Sequence, residues 1–152
     1  MKSTYLFFIS LFLSAPIVGQ EAAVRQKHFL VEKGVAAQGY DVVSYFSQKA
    51  QKGKAEFTHN FGGINYRFAN AVNLETFKKD PTKYEPQYGG WCAYAMGAKG
   101  EKVEINPETF KIVEGKLYLF YNHFFSNTLT DWNKDEAHLK KQADANWQKT
   151  FK

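Results

Sequence analysis

Two stretches of strict alternation constrain most of what this chain can fold into. From Phe57 to Phe68 the residues Phe57, His59 and Phe61 alternate with Thr58 and Asn60. Gly62-Gly63 follows, and then Ile64, Tyr66 and Phe68 alternate with Asn65 and Arg67. A period of two broken by Gly-Gly predicts a β-hairpin, because glycine takes the positive φ angles of a tight turn without steric cost. His59 lies in phase with the apolar set and is expected to point toward the core. The second stretch is Phe110 to Val113, a turn at Glu114-Gly115, and Lys116 to Tyr121. Its second strand is apolar on both faces, which predicts a buried strand central in its sheet.

Between and after the hairpins the spacing changes to that of helices. Asn70 is placed to cap a short helix with Val72, Leu74 and Phe77 toward one side, and Asp80-Pro81 stops it and opens another turn. The run from Trp91 to Met96 reads as helical, with Cys92 and Met96 one turn apart on one face and Gly97 ending it. Asp41, ahead of Val42 to Phe46, reads as a helix N-cap, with ligand or general base as the other roles open to it. Ser47 to Lys54 is polar and reads as a mobile loop. From Asn133 onward Leu139, Ala143 and Trp147 recur at helical spacing. The expected class is α+β: a small antiparallel sheet built from two hairpins, packed with short helices and a C-terminal amphipathic helix that lies on the sheet.

The first 20 residues carry one charge, at Lys2, and an apolar run from Tyr5 to Leu13, followed by Ser14, Ala15, Pro16 and Val18-Gly19-Gln20. The run is too short to span a bilayer, which takes about 20 apolar residues. It reads as a signal peptide over 1–20, cut near Gly19 or Gln20, leaving a single domain over 21–152 that is exported to a periplasmic or extracellular compartment. No membrane span is expected after its removal. The chain has 14 Phe, 9 Tyr and 3 Trp but only one cysteine, Cys92. No internal disulfide is possible, so aromatic packing must hold the fold. Loss of Lys2 takes the net charge from +5 to +4, with the lysines scattered, which gives no footing to nucleic-acid binding.

Chemistry has few carriers. The soft or borderline ligands are Cys92, Met96 and the histidines His28, His59, His123 and His138, and no pair has the spacing of a closed zinc site. Cys92 and Met96 suit a soft ion such as cuprous copper, and inward-facing His59 would complete the set or activate the thiol. His28, His123 and His138 sit in polar contexts and read as solvated. No nucleophile triad, phosphate-cradling loop or acid pair stands out, so hydrolase and nucleotide-binding readings have no support.

The segments Gly39-Tyr40-Asp41-Val42, Asn65 to Ala69, Phe77 to Tyr84, Pro86 to Tyr94, Gly115 to Asn122 and Ala143 to Trp147 together resemble the exported YHS-domain proteins, over Val35 to Trp147. The resemblance implies the metal-binding class of the wider YHS group, particularly copper handling. That group's best-known ligands are two cysteines four residues apart, just after the Tyr-x-Phe strand. Ala69 and Asn73 stand at those places here, so a site in this chain would have to be rebuilt around Cys92. Three readings follow. The first is a soft-metal protein with Cys92, Met96 and His59 as ligands to a copper or zinc ion. The others are a thiol-redox or small-ligand module centred on Cys92, and an exported interaction or scaffold domain without catalysis. The oligomeric state is left open.

Overall fold

In the computed structural model, which describes residues 17–151, the chain opens with helix α1 (Ile17–His28). The expected cut near Gly19 or Gln20 falls in its first turn, and residues 1–16 lie outside the described residues. Two short strands follow, β1 (Val31–Glu32) and β2 (Val35–Ala36), then 3-10 turns over Ala37–Gly39 and Ser44–Ser47. The first expected hairpin forms as β3 (Lys54–Phe61) and β4 (Ile64–Phe68), with Ile64, Tyr66 and Phe68 buried. Arg25 Nε and Gln26 Nε2 of α1 donate to the carbonyls of Gly62 and Gly63, which docks α1 on the turn of this hairpin.

Helix α2 (Ala71–Lys79) starts where expected, with Asn70 Oδ1 accepting the Asn73 N–H at 2.9 Å. Phe77 is buried, but Val72 is exposed rather than turned to the core. Five residues separate the two, which sets them about 140° apart around the helix. Pro81 opens α3 (Pro81–Tyr84), a 3-10 turn covers Gln87–Gly90, and α4 spans Ala93–Lys99. Gly97 does not end α4, as its spacing suggested; Gly100, at φ 69°, does. Gly97 instead lies against α6 (Glu136–Lys149), where a Cβ would stand 2.5 Å from the Leu139 carbonyl oxygen.

The second expected hairpin forms as β5 (Asn106–Val113) and β6 (Lys116–Phe120). A small hairpin of β7 (Asn122–His123) and β8 (Ser126–Asn127) then leads into α5 (Thr128–Trp132) and α6. The class is α+β. In detail, the two large hairpins do not share a sheet. One sheet has the order β1-β2-β4-β3, with β2 and β4 parallel, whereas β5-β6 stands alone.

β6 is buried on both faces, as its composition requires, but it is not central in its sheet: β5 is its one partner strand, and packing from the other sheet and from helices covers its faces. Leu117 and Leu119 enter a core with Tyr45, Tyr66, Phe68, Phe77 and Cys92. Tyr118 and Phe120 enter a second core with Met96, Trp132, Leu139 and Ala143. Helix α6 meets the β5-β6 hairpin through that second core and through the pairs Glu136–Lys111 and Lys140–Glu114, and its backbone neighbour is α4, which Asn146 Nδ2 ties by donating to the Met96 carbonyl at 2.9 Å. The polar stretch 47–54 is held by backbone bonds, Asp41 N–H to Gln51 O at 2.8 Å and Gly53 N–H to Gly39 O at 2.9 Å.

Candidate functional site around Cys92

The segment before Cys92 turns sharply: Tyr88, Gly89 and Gly90 have φ of 55°, 61° and 87°. Gly89 has no substitute here, because a Cβ would lie 2.8 Å from the Trp147 ring and 3.0 Å from Phe29. The turn delivers Cys92 to the N-cap of α4, where its N–H donates to the Val103 carbonyl at 2.9 Å and its carbonyl accepts the Met96 N–H at 3.0 Å.

The Cys92 sulfur is fully buried and has two polar partners. The Tyr121 N–H donates to Sγ at 3.3 Å, and Thr128 Oγ1 lies 3.3 Å away. Thr128 Oγ1 is also 2.8 Å from the Tyr121 carbonyl, to which it donates its one proton. The contact between sulfur and Oγ1 is therefore an S–H donating to the hydroxyl oxygen. The same carbonyl also accepts the Thr128 N–H at 3.0 Å. The hydroxyl can thus turn to the sulfur without leaving that carbonyl unpartnered, which gives a thiolate a second donor at no cost to the backbone.

Above the sulfur lies a cleft of about 240 Å³ walled by Tyr94, Val103 and Tyr121, with Lys99 and Glu101 at its mouth. Because Cys92 has no exposed surface, its sulfur sits just beneath the cleft floor rather than open on it.

The other residues singled out in the sequence go elsewhere. Cys92 has ψ of 116°, outside the helical range, so its side chain leaves the helix wheel and enters the first core while Met96 enters the second. His59 lies half-buried on β3, its ring edge-on to Phe77 with centroids 6.3 Å apart. The structure therefore brings neither Met96 nor His59 to the sulfur as a polar partner. Among the described residues no group of three or more His, Cys, Asp or Glu is placed to hold a metal ion. His123 and His138 are exposed. His28 is half-buried against Phe151, with Lys102 Nζ 3.1 Å from its Nδ1, and desolvation and then the nearby lysines lower its pKa.

Asp41 is not a helix N-cap as expected, because only a 3-10 turn over Ser44–Ser47 forms and its N-cap is Val43; Asp41 instead caps the turn that leads into it, and does more. Its Oδ1 accepts the N–H groups of Val43 and Ser44 at 2.9 and 3.3 Å. Its Oδ2 accepts the Ala69 N–H at 2.8 Å and the Asn73 amide at 2.6 Å. Four donors fill the four lone-pair directions of a carboxylate. The two positions where the resembled family carries cysteines thus supply hydrogen bonds to a buried carboxylate. Tyr121 and Thr128 had no signal in the sequence, since they stand 29 and 36 residues from Cys92. In comparisons with protein-family models, curated proteins and solved structures, nothing matches this chain.

Proposed function

We propose that the chain is an exported YHS-like domain whose working group is the Cys92 thiol, which reacts with a small uncharged oxidant or soft electrophile admitted by the cleft above it. The observation that carries this reading is the pairing of Sγ with the Tyr121 N–H and the Thr128 hydroxyl just beneath the floor of that cleft. The Tyr121 N–H, and the Thr128 hydroxyl once it turns from the Tyr121 carbonyl, are placed to hydrogen-bond the sulfur as the thiol gives up its proton and attacks. With a hydroperoxide, the thiolate attacks one peroxide oxygen, the O–O bond breaks, hydroxide or alkoxide leaves, and the sulfur is oxidised to a sulfenic acid. The proton released by the thiol neutralises the leaving anion. A cleft of about 240 Å³ admits small reagents and rejects bulky ones. Of the three soft ligands considered for a metal, this place holds Cys92 alone.

The test is sulfenic-acid trapping in the folded domain after exposure to hydrogen peroxide. Trapping at Cys92 is expected in the parent protein and none in Cys92→Ser. In Thr128→Val, loss of one donor slows the reaction by about ten- to a hundredfold, since a hydrogen bond to a charged group contributes about 1.5–3 kcal/mol. A thiol that stays unmodified until the protein is denatured would sink the proposal. Titration of the same samples with cuprous and zinc ions separates thiol chemistry from metal binding: stoichiometric metal, lost in Cys92→Ser, would favour the soft-metal reading instead.

A further inference from the structure

β4 alternates between two environments. Ile64, Tyr66 and Phe68 face the core, while Asn65 and Arg67 lie half-buried on the opposite, polar face of the four-stranded sheet. Arg67 forms no ion pair among the described residues. Its Nε is also the one buried side-chain nitrogen or oxygen among them without a hydrogen-bond partner. Buried donors are almost always satisfied in folded proteins, and an unpaired one costs about 1–3 kcal/mol.

The Arg67 backbone is closely packed. Gly53 lies flat on the Arg67 backbone, where a Cβ would come within 2.5 Å of the Arg67 carbonyl carbon and 2.6 Å of its Cβ. Beside it, Arg67 lines a concavity of about 230 Å³ together with Glu32, Lys33, Val35, Gln38 and Gly39. The chain curls around that space through three successive left-handed residues, Ala37, Gln38 and Gly39, with φ of 50°, 52° and 82°. Strained conformations of this kind gather at ligand sites. The Gln38 amide is already committed, donating to the Ile105 carbonyl at 3.2 Å. The charged residues lining the space are Arg67 and Lys33, opposed by Glu32.

We propose that this concavity binds the oxyanion group, carboxylate or phosphate, of a compact ligand on the guanidinium of Arg67, with Lys33 adding positive charge. Arginine presents a planar fork that matches two oxygens of such a group, and the balance of side-chain charge around the space is positive. A volume of about 230 Å³ corresponds to roughly eight water-sized groups, which suits a small acid or inorganic phosphate. The site is separate from the Cys92 cleft, with no lining residue in common.

The test is a titration of the ¹⁵N-labelled chain with sodium phosphate and, separately, sodium acetate at constant ionic strength, following the Arg67 Nε–Hε resonance. A saturating shift with at least one anion is expected. Arg67→Lys, which keeps the charge but loses the fork, weakens binding by about tenfold or more. Glu32→Gln, which removes the opposing carboxylate, strengthens it. The backbone spectrum of each variant verifies its fold. Shifts that rise linearly without saturation for both anions would overturn the proposal, and so would unchanged affinity in Arg67→Lys. Weaker binding in Glu32→Gln would overturn it as well, by making Glu32 a partner that positions Arg67 rather than a charge that opposes the anion.

Discussion

Asp41 has no exposed surface, yet it satisfies both carboxylate oxygens with donors from three parts of the chain: its own turn, the end of β4 and the side chain of Asn73 on α2. Substitution by Asn keeps the shape and replaces one acceptor oxygen with an NH₂ group that must face an N–H. Asp41→Asn is therefore expected to destabilise the fold by about 2–4 kcal/mol, measured by urea denaturation, from at least one unsatisfied buried donor and the loss of charge-assisted bonds. Asn73→Ala removes one donor of the four and should cost about 1–2 kcal/mol. The capping half of this arrangement was legible in the sequence, since Asp41 precedes an apolar run by one residue. The other half was not, because Ala69 and Asn73 lie 28 and 32 residues away and neither residue type signals a carboxylate partner. Cys92 repeats the pattern: the sequence marks the thiol, and only the fold shows what holds it.

At the scale of elements, the close approach of α4 and α6 depends on Gly97, whose hydrogen faces the Leu139 carbonyl. Ala has a helix propensity better than Gly by about 1 kcal/mol, but a methyl at 2.5 Å from a backbone oxygen must push the helices apart. Overpacking of this kind costs about 1–3 kcal/mol, so Gly97→Ala should lower the thermal midpoint despite the propensity gain. Helix α6 is also anchored at its first turn, where Glu136 accepts from Lys111 of β5 and from Trp132 Nε1 at 2.9 Å. The hydrogen bond from Lys111 leads the causes that hold the Glu136 carboxyl below the usual glutamate range, against the opposing effect of desolvation and with help from Trp132. A folded-state pKa below the unfolded value means that the stabilisation is complete above the ordinary glutamate pKa. It is lost as pH falls through the lowered value. Glu136→Gln should therefore cost about 0.5–1 kcal/mol near neutral pH and flatten the acid limb of a stability-against-pH curve; an unchanged acid limb would contradict the assignment. The hairpins, the Asn70 cap and the terminal helix could be read because each rests on signals a few residues apart. The separate sheets could not, because β1 and β2 are two residues long and too short to show a period.

In the whole molecule, β6 divides two cores, with Cys92 in one and Met96 in the other, so the soft residues that looked adjacent in sequence serve opposite sides of a strand. Helix α1 is tied to the same body by the half-buried pair of Arg25 and Glu85, to whose carboxylate the Tyr66 hydroxyl also donates. Without a disulfide, closure of the cleft over the sulfur rests on packing alone, and local opening rather than unfolding must admit a reagent. The most direct test is the rate of Cys92 modification by a small neutral alkylating reagent across sub-denaturing urea concentrations. The account predicts a finite rate in native buffer that is nearly independent of urea and falls sharply for bulky reagents. A rate that vanishes in native buffer and rises with the urea dependence of global unfolding would show the thiol to be sealed in the core, and the thiol-centred account would be wrong.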